Sequence, residues 1–535
     1  MNTPATPGSG TPLKALLVAP KFPYSFWSFS ESCALTGVKT ELPPLGLITV
    51  AALLPAAWSL RVVDLNVTAL CESDLEWADV VLLSSMINQL IPLRELLQKA
   101  KKLGKPTVVG GPITSSYPQK VIEAGCTYMV VGEAENIMDK VVAAIESGAP
   151  PTIIRAEERP DIETTVIPRY DLLDISAYGT LSLQTSRGCP HNCEFCDVIT
   201  LLGRKQRFKT PEQVVRELDA LRDLGWRGGV FIADDNFIGV KSRAKILLTR
   251  LIEWQKENNG MFGFFTQVTA SLGSDLELID MMTTANLGDV FVGIETPNED
   301  ALRKAGKHQN VTVPLAECLS AIMRNGITIT GSFIIGLDGD CAGADDRMCN
   351  FVESLNIPLV MLNMIGVPPN TKLWKRLEQE GRLRPEAHAD GMLHTNFVTS
   401  RPFEDIKVEY VSAWKRLYEP TTFIKRVYRH CLEMRPTRKA SLKKGGAVDP
   451  SSIVPDPVKM NTPFRSQLVI FARICWRQGV VRSCRLRFWM QLLGIFWNNP
   501  SRFILYMTLC VQGEDMFKFC DYLEEHINLQ KVDPQ

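Results

Sequence analysis

Twice along this chain short apolar runs alternate with helical stretches, and that rhythm confines the fold to parallel sheets covered by helices. In the first series the runs Lys14–Pro20, Leu60–Leu65, Asp79–Ser84, Thr107–Gly110 and Tyr128–Gly132 predict strands, with helices at Leu45–Leu54, Pro92–Leu103, Pro118–Ala124 and Ile137–Ser147. The expectation is a doubly wound, flavodoxin-like (Rossmann-like) domain over residues 13–150. A linker rich in charge and proline, Pro150–Ser176, leads to the second series. Strands are predicted there at Thr180–Thr185, Gly229–Ala233, Phe262–Thr269, Asp289–Ile294, Ile327–Ile335 and Pro358–Ile365, with helices at Pro211–Leu224, Ser242–Glu257, Asp275–Thr284, Val313–Asn325 and Asp345–Asn356. Six βα units predict a partial or full (β/α)6 barrel of TIM type over residues 176–369, its site at the carboxyl mouth. Beyond it the pattern is mainly helical over 370–434, followed by a linker at Arg435–Pro463 and a last region over 464–530.

At 535 residues the chain exceeds one ordinary core. Its 59 basic and 59 acidic residues cancel, so no global field draws it to nucleic acid, and no such partner is expected. Fourteen cysteines in a chain of this size fit a reducing, cytoplasmic compartment better than a disulfide framework. Met1–Pro12 has neither a charged start nor an apolar stretch, unlike a secretory signal. The longest apolar run, Pro44–Ala57, is shorter than the ~20 residues that span a bilayer, so no transmembrane helix is expected.

In the first domain the loops at the strands' carboxyl ends are the expected binding crevice. They supply Ser84 and Ser85, Gly110 and Gly111, and Gly132 and Glu133. Ala19-Pro20-Lys21-Phe22-Pro23 follows the first strand in place of a G-x-G-x-x-G loop, which disfavours a dinucleotide.

In the second domain the loop after the first strand carries Cys189, Cys193 and Cys196 at C-x3-C-x2-C spacing. A [4Fe–4S] cube normally takes four thiolates, so three clustered cysteines imply one iron open to another ligand. Zinc is the rival reading, with His191 inside the loop as a further donor.

This loop resembles that of the radical S-adenosylmethionine (SAM) enzymes, whose pattern is C-x3-C-x-aromatic-C, with Phe195 as the aromatic residue. Further matches follow in order: Asp234, Asp235 and Asn236 after the second strand, Gln267 on the third, Glu295 in Val292–Thr296 after the fourth, and Gly331 and Gly336 in the fifth-strand stretch Gly331–Asp338. The resemblance implies that the cysteines hold a [4Fe–4S] cluster and that these other residues bind SAM. Plainer alternatives stand beside it: Asp234 and Asp235 also suit a helix N-cap, Glu295 a turn before Pro297, and Gln267 either face of its strand.

A doubly wound domain before such a barrel resembles the cobalamin-binding (B12-binding) radical SAM enzymes, as do Pro43–Leu47, Val109–Pro112 and Val131–Glu135. The resemblance implies cobalamin at Ser84, Ser85, Gly110, Gly111, Gly132 and Glu133. Residues 1–150 contain no histidine, so a histidine lower axial ligand cannot come from this domain, and the lower face would meet another group, water or nothing. The implied activity is a C-methyltransferase that acts on an unactivated carbon through a 5′-deoxyadenosyl radical and methylcobalamin, with ferredoxin or flavodoxin as electron donor. Cyclisation or rearrangement without net methylation is the alternative within the family; a zinc-stabilised RNA- or membrane-binding protein is the alternative outside it.

Residues 368–374 and 377–383 resemble the C-terminal extension of a subgroup that includes hopanoid methylases, which implies a lipid or other hydrophobic natural product as the small-molecule substrate. Residues 464–512 hold seven arginines and no Asp, Glu or Lys, with Trp476, Trp489 and Trp497 interleaved. A stripe of Leu468, Phe471, Ile474 and Cys475 suits an interfacial helix in peripheral contact with a membrane, or a helix docked on the barrel.

Overall fold

The computed structural model describes residues 12–384, 394–443 and 464–530. The N-terminal tail, residues 385–393 of the expected helical extension and most of the linker at Arg435–Pro463 lie outside the described residues. The chain forms two compact units: one holds Lys39–Leu183, Arg207–Trp226 and the chain up to Tyr24, the other Ser25–Val38, Gln184–Gln206 and Arg227 onward.

The first unit is built on six parallel strands, β1 (Lys14–Ala19), β2 (Ser59–Asp64), β3 (Val80–Ser84), β4 (Thr107–Gly110), β5 (Tyr128–Val131) and β6 (Thr152–Arg155), in the order β2-β1-β3-β4-β5-β6. Strands buried on both faces read as unbroken apolar runs. Alternate residues feed separate cores: Leu17, Leu82, Val108 and Val130 meet Leu47, Ala51 and Val141 on one face. On the other, Leu16, Val81, Val109 and Met129 meet Leu93, Leu97 and Val121. Strand β6 lies inside the segment expected to be a linker. It is an edge strand with Ile154 as its one buried residue, so it carries no apolar run to betray it.

The second sheet holds β7 (Thr180–Leu183), β8 (Gly229–Ile232), β9 (Gly263–Val268), β10 (Leu287–Glu295), β11 (Thr328–Ile335) and β12 (Leu359–Met364), in the sequential order β12-β11-β10-β9-β8-β7. This is the expected partial barrel. Along β8 to β10 one face is buried under helices at Val230, Ile232, Phe264, Val268, Val290 and Val292, while Phe231, Phe265, Gln267 and Phe291 on the other face stay partly open. The parallel register sets Phe231 beside Phe265 and Gln267 beside Phe291.

The C-terminal region is helical: α1 (Lys372–Gln379), α2 (Phe403–Leu417), α3 (Pro420–Glu433), α4 (Phe464–Trp476), α5 (Arg485–Asn498) and α6 (Phe503–Gln530), besides the short helix Arg438–Lys443. Thr371 caps α1 and the Glu419 carboxylate caps α3, each satisfying N–H groups that a helix start leaves bare. The helix Ser30–Thr36 belongs to the same unit; Asp515 of α6 accepts from the Glu31 N–H at 2.7 Å. No helix among the described residues is long and apolar enough to cross a membrane.

Candidate active site

The loop that carries the three cysteines is shaped by contacts from three directions. Asp234, at the end of β8, is almost fully buried. Its carboxylate accepts from the N–H groups of Thr185 at 2.7 Å and Ser186 at 2.9 Å, and from both of their hydroxyls. Those bonds occupy the side chain assigned to SAM from the sequence; Asp234 is a clamp on the loop. Asp235 accepts from the Gly188 N–H at 3.2 Å, and burial pushes its carboxyl up to about 6. Gly188 itself has φ +95°, and a Cβ there would lie 2.8 Å from the Gly203 carbonyl. Only glycine suits both demands.

The second direction is the stretch after residue 304. Glu194 N–H bonds the Ala305 carbonyl at 2.9 Å, and Gly306, at φ +67°, brings backbone against the Asn192 carbonyl. The next residue, Lys307, donates to Glu295 at 2.6 Å with both side chains nearly buried. Burial opposes the Lys307 charge, but Glu295 and the sulfur atoms of Cys193 and Cys196 outweigh it and raise its affinity for the proton. Gln309 donates to the Cys193 sulfur at 3.3 Å, and Asn310 to the carbonyls of Gly293 and Ile294. Glu295 stands at a register shift in β10 with φ +67°, an uncommon conformation for its residue type. Sequence reasoning found Glu295 but missed Lys307 and Gln309, which follow no pattern a single sequence displays.

The third direction is the extension. Arg376 of α1 forks onto Glu194, between Cys193 and Cys196, at 2.9 and 3.1 Å, and reaches Asp338 at 2.9 Å. Arg382 pairs with the other side of Asp338 at 2.8 Å, and Leu373 N–H bonds the Glu194 carbonyl at 2.8 Å. Phe195 packs against Ala301, Ala305, Leu337, Leu373 and Leu377, so its ring anchors the loop in an apolar cluster.

The donor set fits an iron–sulfur cluster. All three cysteines are free thiols, each close enough to a neighbouring sulfur for their charges to interact, with Lys307 beside them. Burial pushes the Cys189 thiol up and Cys196 up to about 12; coordination by a metal reverses such a shift. Among the described residues no group of three Cys, His, Asp or Glu side chains is arranged to hold a single metal ion.

For SAM the fit rests on Asn236. It is 2 % exposed, yet neither polar atom of its amide has a partner, and such groups are normally satisfied. A polar ligand beside the loop supplies what it lacks. Gln267 lies on the open face of β9. The two glycines behave differently from expectation. A Cβ on Gly331 would lie 3.0 Å from Ile294, and one on Gly336, at φ +95°, 2.9 Å from Ile365. Both are needed for packing and a turn at the end of β11.

In the first unit the loops after β3, β4 and β5 share the sheet's carboxyl edge. Ser84 pairs in register with Gly110, Ser85 N–H bonds the Gly110 carbonyl, and a Cβ on Gly111, at φ +90°, would lie within 2.9 Å of both serines. Gly132, at φ +100°, leaves room for Ala156. Glu133 is committed to Arg207 through two bonds at 2.7 and 3.0 Å, so it closes the edge and is not a free ligand. The switch point lies between β1 and β3, where Gln89 ties the two loops by donating to Pro20 and Phe22 and Met86 are exposed. A small-residue edge flanked by open apolar side chains fits a broad, flat ring rimmed with amide groups such as cobalamin; Ser84, Ser85, Gly110 and Gly111 would meet it with backbone and hydroxyl groups.

Comparison with known proteins identifies the domains that carry these loops. Residues 32–142 match the model of the B12-binding domain, 183–348 that of the radical SAM superfamily, and 371–528 a domain of unknown function. The chain is 42 % identical to an uncharacterized methyltransferase of Synechocystis sp. over 97 % of its own length and 94 % of the relative's. It is 32 % identical to the hopanoid C-2 methylase of Rhodopseudomonas palustris over 90 % and 88 %. In fold it is similar to the radical SAM methyltransferase TsrM of Kitasatospora setae, solved with cobalamin and a [4Fe–4S] cluster bound, with a TM-score of 0.60 at 16 % identity over 96 % of this chain and all of that one. The chain belongs to the cobalamin-dependent radical SAM methylases with a C-terminal extension, enzymes that work with a [4Fe–4S] cluster, SAM and cobalamin.

Proposed function

We propose that this C-methyltransferase acts on a flat, polycyclic lipid of the hopanoid class, reached from the cytoplasmic side of a membrane. The observation that carries the reading is the open face of β8 to β10. Phe231 and Phe265 stack at 4.5 Å, and Phe291 meets Trp27 at 5.6 Å. This makes an aromatic wall with Gln267 as its polar neighbour. A wall of that kind favours an acceptor that gains by leaving water and presents few charges. The hopanoid name of a relative at 32 % identity points the same way.

The cofactors, when bound, supply one-electron cleavage of SAM and a carrier for the methyl group. The chain's own residues do the positioning. Asp234, Gly306 and Arg376 fix the cysteine loop, Asn236 offers a buried amide to a polar ligand, and the aromatic wall keeps water from the acceptor carbon. A ferredoxin or flavodoxin is the electron donor in this reading.

The test is anaerobic incubation of the reconstituted, cobalamin-loaded enzyme with methyl-labelled SAM and either purified hopanoids or a polar extract. Label in the hopanoid fraction is expected. Label confined to polar acceptors refutes the lipid reading, and 5′-deoxyadenosine without label in any product refutes methylation.

A further inference from the structure

Helix α5 is apolar on both sides. Phe488, Leu492 and Ile495 are buried, and the helix packs on α3 and α6. Its outer side carries Leu486, Met490, Leu493 and Trp497, which are 75, 65, 57 and 78 % exposed, with Phe496 exposed beside them. Their spacing of four, three and four residues puts them in one row about 16 Å long. Single exposed hydrophobes are ordinary, but a contiguous row marks an interaction surface. Trp489 borders the row and is held there: its Nε1 donates to the Gly479 carbonyl at 3.0 Å, and its ring fills the space over that glycine.

The charges around the row select its occupant. Arg482 pairs with Glu514, and Arg477 with Glu514 and Glu31. Arg485 is exposed and Arg487 half-buried, and neither forms an ion pair among the described residues. No acidic residue occurs from 464 to 512. A second copy of the same face would set arginine against arginine with no carboxylate between them. An anionic lipid surface accepts both features, since leucine and tryptophan enter the headgroup boundary while arginine meets phosphate. We propose that the outer face of α5 is a membrane-docking surface that seats on anionic phospholipid.

This deepens the lipid-acceptor reading and rests on it for its purpose, though the two fail separately: vesicle binding without hopanoid methylation would keep the docking face and refute the acceptor. The test is flotation of the full-length holoenzyme with vesicles of phosphatidylcholine alone or mixed equally with phosphatidylglycerol. The wild type is expected to float with the mixed vesicles. Leu486→Glu/Leu493→Glu/Trp497→Glu changes only exposed side chains, should leave the melting temperature unchanged, and should lower the floating fraction at least tenfold. Arg485→Glu/Arg487→Glu should lower it at least about twenty-five-fold on mixed vesicles, because each arginine near an anionic surface is worth about fivefold. Wild-type protein that stays unbound, a triple variant that floats like wild type, or a wild-type dimer that the triple variant dissociates would each overturn the proposal.

Discussion

Replacing Arg376 by alanine removes the brace between the extension and the cysteine loop, and the structure bounds the consequence. Asp338 has its carboxyl lowered from 3.8 to about 2; burial opposes the shift, and Arg382 and then Arg376 overcome it. At about 1.4 kcal/mol per pH unit the two arginines, net of the burial they overcome, are worth about 2.5 kcal/mol to Asp338, of which Arg376 supplies the smaller part. Because Arg376 is one-third exposed, solvent screening leaves about 0.5 kcal/mol for that contact. Glu194 is more enclosed, and losing a forked, charge-assisted pair there costs about 1–2 kcal/mol. The sum, about 2 kcal/mol, should lower the melting temperature of the apoprotein by about 4 °C for a unit this large. The perturbed group sits between two cluster cysteines, so iron and sulfide per chain after anaerobic reconstitution should fall as well. Arg376→Lys keeps the charge but not the fork, and should lie between. The folded pKa of Asp338 lies below its unfolded value, so its stabilisation is present above about pH 4 and is lost as pH falls toward 2. An Arg376→Ala protein that melts with the wild type and keeps its full iron content would refute the brace.

Three further outcomes follow from the same geometry. Asp234→Asn puts an NH2 group against the donors of Thr185 and Ser186, and should cost about 2–4 kcal/mol in thermal unfolding together with loss of iron. Asn236→Ala should leave stability nearly unchanged, because its amide has no protein partner. In equilibrium dialysis it should weaken SAM binding by about tenfold, the worth of one ordinary hydrogen bond. Asp515 has its carboxyl pushed up to about 6, burial outweighing the bonds from Ser32 and the Glu31 N–H. A raised folded pKa means that its favourable contribution is present below about pH 4 and lost as pH rises through about 6, so Asp515→Asn should remove about 2–3 kcal/mol of pH dependence between those limits in a series of melts.

The βα order was legible because parallel strands buried on both faces leave apolar runs that neither helix nor loop explains, as at Ala15–Val18 and Val290–Val292. Edge strand β6 was not, since one buried residue in four is indistinguishable from a linker. The outward apolar row was illegible for a related reason. Of the stripe expected on α4, Ile474 and Cys475 are buried while Leu468 and Phe471 are exposed. The outward row belongs to α5, where apolar residues on both sides cancel the periodic signal that would assign either side to solvent. At the site, the cysteines, Asn236 and Glu295 stood out by residue type and order. Lys307 and Arg376 did not, because a lysine or arginine on a helix end is ordinarily solvated, and only the tertiary fold turns these two inward.

The family-like residues divide into two groups with different work. Asp234, Phe195, Gly188, Gly331 and Gly336 spend their side chains, or their lack of one, on protein: a clamp, an anchor and three close approaches of backbone. Asn236 has its polar atoms unspent, and the thiols are free. The site is therefore stiff in its frame while Asn236 keeps both polar atoms of its amide unpaired, as preorganisation for a reactive intermediate requires. The extension takes part in that frame, because Glu194, set between two cluster cysteines, is gripped by Arg376 through its carboxylate and by Leu373 through its carbonyl. The same extension carries the outward row of α5. One stretch of chain thus braces the loop of the radical chemistry and, in the reading given above, holds the enzyme at the surface where its acceptor lies.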